Sequence, residues 1–157
     1  MNIVENKNPL WTNEHIQHLR KYKENYGLYI TEQEFSEELS NIEQGKPSKR
    51  CVDAQRCFEI YKDEEYIGDI TITKIEDKHN ELDIVIFDKC ANKGYAKEAI
   101  NKFEKIYFDE IGTVLDVIIR EDNPNKDKVK SILEANDFKL VGYNDYEDLI
   151  FSKSKEK

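Results

Sequence analysis

The 157-residue sequence has few cysteines and no long apolar segment. Its three cysteines, Cys51, Cys57 and Cys90, do not have the spacing of a metal site, so we expect reduced thiols in a cytoplasmic protein. No apolar run approaches the roughly 20 residues that a membrane helix needs. The opening residues, MNIVENKNPLW, lack the basic and hydrophobic regions of a secretory signal. The sequence therefore predicts no metal site, no membrane span and no secretion.

The sequence also lacks a surplus of positive charge. It has 33 acidic and 24 basic side chains, and its formal net charge is −9. Because nucleic-acid binding needs a basic surface that neutralises phosphates, we expect no nucleic-acid partner. An acidic surface favours cationic ligands such as amines, although surplus acid also serves solubility.

The composition is that of a globular protein, with 38% hydrophobic and 36% charged residues. The length suits one domain with a substantial core. We predict a single domain over residues 1–157, helical over 1–50 and built of strands and helices over 51–157.

Two amphipathic helices are predicted in the N-terminal part. The first follows Thr12 or Asn13 as its cap and ends at Gly27. The second begins with Thr31 and Glu34 in the register of a capping box. Apolar residues recur at helical spacing in both, at Ile16, Leu19 and Tyr22 and at Phe35, Leu39 and Ile42.

The rest of the chain alternates strands and helices. The predicted strands are RCFEIYKD, EYIGDITITKI, ELDIVIFD, TVLDVIIR, FKLVGY and YEDLIFSK. The predicted helices are 95–108, which has a clear apolar stripe, and NKDKVKSILEAND. This order predicts an α/β protein with a mixed sheet flanked by helices.

The strand ELDIVIF leads through a short turn directly into the helix that begins at Tyr95. A helix N-terminus offers unpaired N–H groups and a positive dipole end, which together bind anions. Gly94 lets a ligand approach the backbone, Ala96 leaves the first turn open, and Lys89 and Lys93 add positive charge. The residues alone fit a phosphate site and a plain connection equally well.

The turn and its surroundings resemble the GNAT family of acyl-CoA-dependent N-acyltransferases. The family's signature turn reads Gln/Arg-x-x-Gly-x-Gly/Ala, and here it reads Ala91-Asn92-Lys93-Gly94-Tyr95-Ala96. The preceding strand, the following helix and the segment VIIREDNPNKDKVKSILEANDFKLVGY also match the family. The resemblance covers roughly residues 56–152, and it implies a mostly antiparallel sheet with one splayed pair of strands.

Some positions depart from the family pattern. Ala91 replaces the usual Arg or Gln, Asp137 stands in place of a Gly, and Leu133 stands where many members have a Tyr general acid. Either Asn123 or Asn125 can take the family's cofactor-contacting Asn role. These departures leave open an acyl-CoA-binding sensor or interaction module without transferase activity. An unrelated α/β protein whose turn binds nothing is the third alternative.

The resemblance implies an N-acetyltransferase that moves an acetyl group from acetyl-CoA directly to a primary amine. It implies a small molecule or a peptide as the acceptor, and no metal. Strand 81–87 would splay from strand 114–120, and the pantetheine arm would lie in the slot along Val85, Ile86 and Phe87. The other implied cofactor-binding residues are Lys89, Ala91, Asn92, Lys93, Gly94, Tyr95, Ala96 and Asn123.

The resemblance also implies candidates for the chemistry. Glu81 lies where many relatives place a strand acid near the acceptor amine, so it is the candidate proton acceptor. Asp83, on the same strand face, is the second candidate. Tyr143 is the candidate for protonating the thiolate leaving group, and Tyr146 could also reach it. Each residue also fits an ordinary structural role, as a solvated strand-end carboxylate or a packed aromatic ring.

The two N-terminal helices have no counterpart in the resemblance, and we expect no strand before them. Their apolar faces need burial, so we expect them to pack on the sheet and border the slot opposite the phosphate turn. A homodimer contact through these helices is the alternative. Their acidic residues, which would favour cations at the acceptor mouth, are Glu32, Glu37, Glu38 and Glu43.

Overall fold

The computed structural model describes residues 1–22 and 30–156. The strands are β1 (Asn2–Asn6), β2 (Gln55–Lys62), β3 (Glu65–Glu76), β4 (His79–Ile86), β5 (Val114–Ile119), β6 (Lys139–Tyr143) and β7 (Leu149–Ser154). The helices are α1 (Asn13–Tyr22), α2 (Glu32–Glu43), α3 (Tyr95–Glu110) and α4 (Lys126–Ala135). The predicted end of the first helix at Gly27 lies outside the described residues.

The seven strands form one sheet in the order β1-β2-β3-β4-β5-β7-β6. Neighbouring strands are antiparallel everywhere except between β4 and β5, which are parallel. Helix α3 makes the crossover between these two parallel strands, as a parallel connection requires. The predicted α/β class with a mixed, mostly antiparallel sheet flanked by helices is confirmed.

The expectation that no strand precedes the first helix is wrong. Residues Asn2–Asn6 form an edge strand that pairs antiparallel with β2, with Ile3 opposite Ile60. Arg56 donates to the Glu5 carboxylate at 2.9 and 3.0 Å, and this contact lowers the pKa of Glu5 to about 2. Five residues are too few to show an alternating pattern, so this strand is defined by its pairing with β2.

One face of the sheet carries the main apolar core. Helices α3 and α4 cover it, and the Phe103 ring of α3 lies 4.9 Å from the Phe58 ring of β2. The fully buried aromatic residues of this core include Phe103, Tyr107, Phe138 and Phe151. The apolar stripe predicted for the helix after the turn therefore packs on the sheet as expected.

The opposite face is covered by α1, which packs through buried His15 and Ile16. Helix α2 begins with the predicted capping box of Thr31 and Glu34. Phe35 of α2 is buried, and the guanidinium of Arg20 in α1 lies 5.6 Å from the centre of its ring. The expectation that the first helix packs against the sheet is confirmed, and the second helix packs against the first.

Several turns use left-handed backbone at residues other than glycine. Asp63 and Glu64, with φ of 50° and 69°, make the hairpin between β2 and β3. Asp137, which replaces the family's Gly, has φ of 65° at the end of α4. There the Phe138 amide donates to the Leu133 carbonyl at 3.0 Å and closes the helix. An aspartate therefore adopts the helix-ending conformation that glycine usually supplies.

Within the part of the chain that the structure describes, no helix combines the length and the apolar composition needed to cross a membrane.

Candidate functional site

The site lies where the two parallel strands separate. Strands β4 and β5 pair only from His79 opposite Val114 to Glu81 opposite Asp116. Beyond Glu81 both strands continue, β4 to Ile86 and β5 as far as residue 119, without pairing to each other. The predicted splay is therefore present, and it leaves one edge of β4 open to an extended ligand.

The turn after β4 has the geometry of an anion site. A short 3-10 turn, Asp88–Cys90, leads to Asn92 with φ of 60° and to Gly94 with φ of 77° at the start of α3. Within the described residues, the amides of residues 92–96 donate no hydrogen bond to any protein acceptor. A Cβ added at Gly94 would meet no atom within 4 Å, so the approach is open. Free amides at a helix N-terminus fit the phosphates of acetyl-CoA.

The lysine side chains around this turn differ in whether their charges are already paired. Lys89 is drawn toward α1, with its Nζ 3.4 Å from the Glu14 carboxylate. Lys93 is exposed and has no ion-pair partner among the residues that the structure describes. Lys128 of α4 donates to the Asn92 side-chain oxygen at 2.8 Å. Sequence reasoning missed Lys128 because no motif links α4 to the turn, which lies far from it along the chain.

Two of the residues that the resemblance implies as cofactor contacts make hydrogen bonds within their own loops. The Ala91 amide donates to the Asp88 carbonyl at 3.1 Å. The Asn123 side-chain oxygen accepts the Asn125 amide at 2.8 Å, which shapes the loop between β5 and α4. Asn125 occupies the N-cap of α4 without a capping bond from its side chain. Of the two candidate Asn residues, Asn125 therefore has the side-chain amide that its own loop does not use.

Helix α1 reaches the same turn. Tyr22 and Lys21 donate to the Asp88 carboxylate at 2.6 and 2.9 Å, and these bonds lower the pKa of Asp88. A cavity of about 300 Å³ lies between α1 and the turn, lined by Gln17 and Phe87 among others. The expectation that the N-terminal helices lie opposite the phosphate turn is thus wrong for α1, because ion pairs hold it beside the turn.

Three carboxylates gather on the α1 face of the split. Glu81 and Asp83 project from the same face of β4, and Asp116 lies opposite Glu81 on β5. Burial, together with the neighbouring negative charges, raises the pKa of Glu81. The Asp83 side chain is exposed to solvent, and desolvation by the protein around it raises its pKa to about 6. Both groups are therefore better proton acceptors than ordinary carboxylates.

The Asp116 side chain is largely enclosed, with 13% of its surface exposed. Its Oδ2 lies 2.8 Å from His79 Nε2, while its Oδ1 is buried and has no hydrogen-bond partner among the described residues. His79 also contacts Glu76, and these two acids raise its pKa although burial opposes them. A protonated His79 therefore balances part of the negative charge around Glu81.

The structure does not bring the two predicted catalytic residues to one face. Tyr143 of β6 pairs with Leu149, whose side chain belongs to the α3–α4 core, and Tyr143 itself is 62% exposed. Glu81 lies on the opposite face of the sheet. Leu133, at the family's usual Tyr position, is fully buried in the core. Tyr146, which is 83% exposed, lies in the turn between β6 and β7.

Over residues 1–22 and 30–156, no group of three His, Cys, Asp or Glu side chains is arranged to hold a metal ion.

Comparisons with known proteins agree with this geometry. A family model described as an acetyltransferase (GNAT) domain matches residues 8–139. No curated protein sequence matches the chain at a significant level.

Solved structures share the whole fold at low sequence identity. The Campylobacter jejuni N-acetyltransferase PseH in complex with acetyl coenzyme A is 17% identical, with a TM-score of 0.65 over 99% of this chain and 100% of that one. The Vibrio cholerae spermidine N-acetyltransferase in complex with CoA and spermine is 15% identical, with a TM-score of 0.63 over 98% and 95%. RimL, a ribosomal L7/L12 α-N-protein acetyltransferase in complex with coenzyme A, is 15% identical, with a TM-score of 0.63 over 98% of each chain.

The family model spans most of the chain, and the split strands and the open turn are present where such an enzyme needs them. The chain belongs to the GNAT family of acetyltransferases and is an acetyl-CoA-dependent N-acetyltransferase.

Proposed function

We propose that the protein acetylates a primary amine of a cationic small molecule or peptide, with acetyl-CoA bound in the slot between β4 and β5. The observation that carries this proposal is the parallel pair that opens beyond Glu81, directly beside a turn with free amides. Bound acetyl-CoA supplies an activated thioester carbonyl for attack by the amine.

The cofactor side of the slot is built mainly from backbone. Val85 and Ile86 lie on the part of β4 that has no partner on the β5 side, and Phe87 follows directly, so backbone groups along this edge can pair with the amides of the pantetheine arm. The Phe87 amide itself donates to the Ile67 carbonyl at 2.9 Å. The amides of residues 92–96 then hold the pyrophosphate, with Lys93 adding charge. Backbone recognition tolerates Ala91 in place of the family's Arg or Gln, because it needs no side chain there.

On the acceptor side, Glu81 receives the proton that the attacking amine must lose. Its raised pKa suits it to this role, and Asp83 two residues further along β4 is positioned to act in its place. A backbone N–H on the unpaired part of β4 serves as the donor to the developing oxyanion. Tyr143 is proposed to protonate the leaving thiolate from the other face of the sheet.

The acceptor class follows from the charge around Glu81. Glu81, Asp83 and Asp116 form a negative surface that attracts an ammonium group more strongly than a neutral amine. The similar solved structures include enzymes for spermidine and for a protein α-amino group, so this fold serves both small and peptide acceptors. A cytoplasmic location and a homodimer stay predictions.

Calorimetric titration with CoA tests the cofactor site. Gly94→Val puts a branched side chain on left-handed backbone and redirects the turn amides, so we expect binding to be abolished. Gly45→Val is the matched control, because Gly45 has φ of 75°, equally open surroundings and a place in the loop after α2. Both variants carry similar backbone strain, and only the first should lose CoA. Undiminished affinity in folded Gly94→Val would contradict the site.

Release of free thiol tests the transfer. Purified protein is mixed with acetyl-CoA and, in separate reactions, a polyamine, free amino acids and peptides with free N-termini. We expect release with a cationic amine. CoA binding without release for any of these amines would contradict the proposed acceptor class.

A further inference from the structure

The lysines of α4 differ in their partners. Lys126 and Lys130 each have a carboxylate partner, Glu121 at 3.2 Å and Glu134 at 3.9 Å. Lys128 has none among the described residues, and its ammonium instead donates to the neutral amide of Asn92 at 2.8 Å. One cation of this helix is thus attached to the turn without its charge being neutralised there.

The position of Lys128 relative to the turn is specific. Asn92, its partner, has left-handed backbone and is the first of the five residues whose amides have no protein acceptor. The Lys128 side chain is exposed, so its Nζ has donors left for a second acceptor in solvent. A lysine beside free amides adds a point charge, besides that of Lys93, to the dipoles of the turn.

The positive charge is needed because this protein is acidic. The formal net charge is −9, and Asp88 lies at the start of the same turn. Lys89 is partly neutralised by Glu14, while Lys21 is paired with Asp88. A phosphate ligand approaching the turn therefore depends on the cations that are not already paired, of which Lys128 is held in place by a hydrogen bond.

We infer that Lys128 is a cofactor-binding residue: its ammonium, positioned by Asn92, contacts the pyrophosphate of CoA and bridges α4 to the ligand. This inference rests on the proposed placement of the pyrophosphate at residues 92–96. The alternative is that Lys128 only braces the turn through its bond to Asn92, in which case its charge has no effect on the ligand.

Three variants separate charge from bracing. Lys128→Gln keeps an N–H donor for Asn92 and removes the charge, and Lys128→Met removes both. Lys130→Gln removes a charge two residues further along the same exposed helix and is the control. Titration calorimetry at low and high salt gives the dissociation constants for CoA and for 3′-dephospho-CoA. Thermal melting of each free variant checks that it is folded.

For Lys128→Gln and Lys128→Met we expect about tenfold weaker binding of both ligands at low salt, the scale of one hydrogen bond to a charged group. Their dissociation constants should also depend less on salt than that of the unsubstituted protein, since one ionic contact is gone. Lys130→Gln should bind as the unsubstituted protein does.

Three results would overturn the inference alone. Unchanged affinity in Lys128→Gln with a loss in Lys128→Met would show bracing without a charge contact, and unchanged affinity in both would show no role. A loss for CoA that disappears with 3′-dephospho-CoA would move the contact to the 3′-phosphate and contradict the pyrophosphate assignment. Failure of the unsubstituted protein to bind CoA would instead overturn the proposed cofactor site, and this inference with it.

Discussion

The two faces of the central sheet are built by different chemistry. On the α3–α4 face, β3 contributes Ile70 and Ile72 to a continuous apolar core. On the α1 face the same strand contributes Asp69, which is buried and bonded to Tyr66 and Arg50 at 2.5 and 3.3 Å. One strand thus supplies hydrophobic packing to one side and a charged network to the other.

The charged network ties the N-terminal segment to the sheet. Asp69 also contacts His15 of α1, whose other ring nitrogen lies 2.7 Å from Thr12. Arg50 donates to the Leu10 carbonyl at 2.5 Å and so fixes the chain before α1. Directional bonds hold a helix in one orientation, which apolar contacts specify less strictly. The apolar face therefore supplies most of the buried hydrophobic packing, whereas the polar face sets the position of α1 beside the site.

The largest expected effect is on the apolar face. Phe103 is fully buried, so Phe103→Ala should lower the free energy of unfolding by about 3–5 kcal/mol. Urea unfolding of the purified protein measures this loss. Phe108→Ala, on the same helix but only partly buried, is the control and should lose less than half as much. Equal losses would show that the core does not centre on Phe103.

The second largest expected effect is a loss of stability on the polar face. Asp69→Asn keeps the shape of the side chain and leaves the Arg50 charge buried without its partner, so we expect a loss of about 3 kcal/mol in unfolding free energy. The double variant with Arg50→Met removes the unpaired charge and should be less destabilised than the sum of the two single variants. Strict additivity in urea unfolding would show that the two residues do not act as a pair.

The third effect concerns activity alone. Glu81 lies at the end of the paired segment and carries no structural ion pair among the described residues, so Glu81→Gln should leave stability nearly unchanged. Turnover should fall by about 10²-fold, the usual scale for general base catalysis. The control is Glu110→Gln at the exposed end of α3, which should keep full turnover.

The pH profile distinguishes Glu81 from its neighbour. Activity needs the carboxylate form, so the rate should fall as pH drops through the raised pKa of Glu81. The negative charge of Asp83 favours protonated Glu81, so Asp83→Asn should lower that pKa and move the acid limb to lower pH. The measurement is kcat/KM with one acceptor between about pH 5 and pH 9. Loss of turnover in Asp83→Asn as large as in Glu81→Gln would make Asp83 the proton acceptor.

Local pattern in the sequence was sufficient for much of the fold. The capping box at Thr31 and Glu34, the helix after Gly94 and the hairpin between β2 and β3 follow from nearest-neighbour chemistry and periodicity. The prediction that β4 and β5 separate came from the resemblance of the turn to the GNAT signature. The capping box, the helix and the hairpin can be predicted from the sequence because each depends on residues close together along the chain.

Features that depend on residues far apart along the chain appear only in the tertiary structure. Strand β1 exists because Asn2–Asn6 finds β2, and its five residues have too little pattern to indicate this alone. The placement of α1 beside the turn depends on Asp88, and the approach of Lys128 to Asn92 depends on how α4 packs. Ion pairs and hydrogen bonds across such separations form only after the sheet has brought the residues together, so no local pattern in the sequence encodes them.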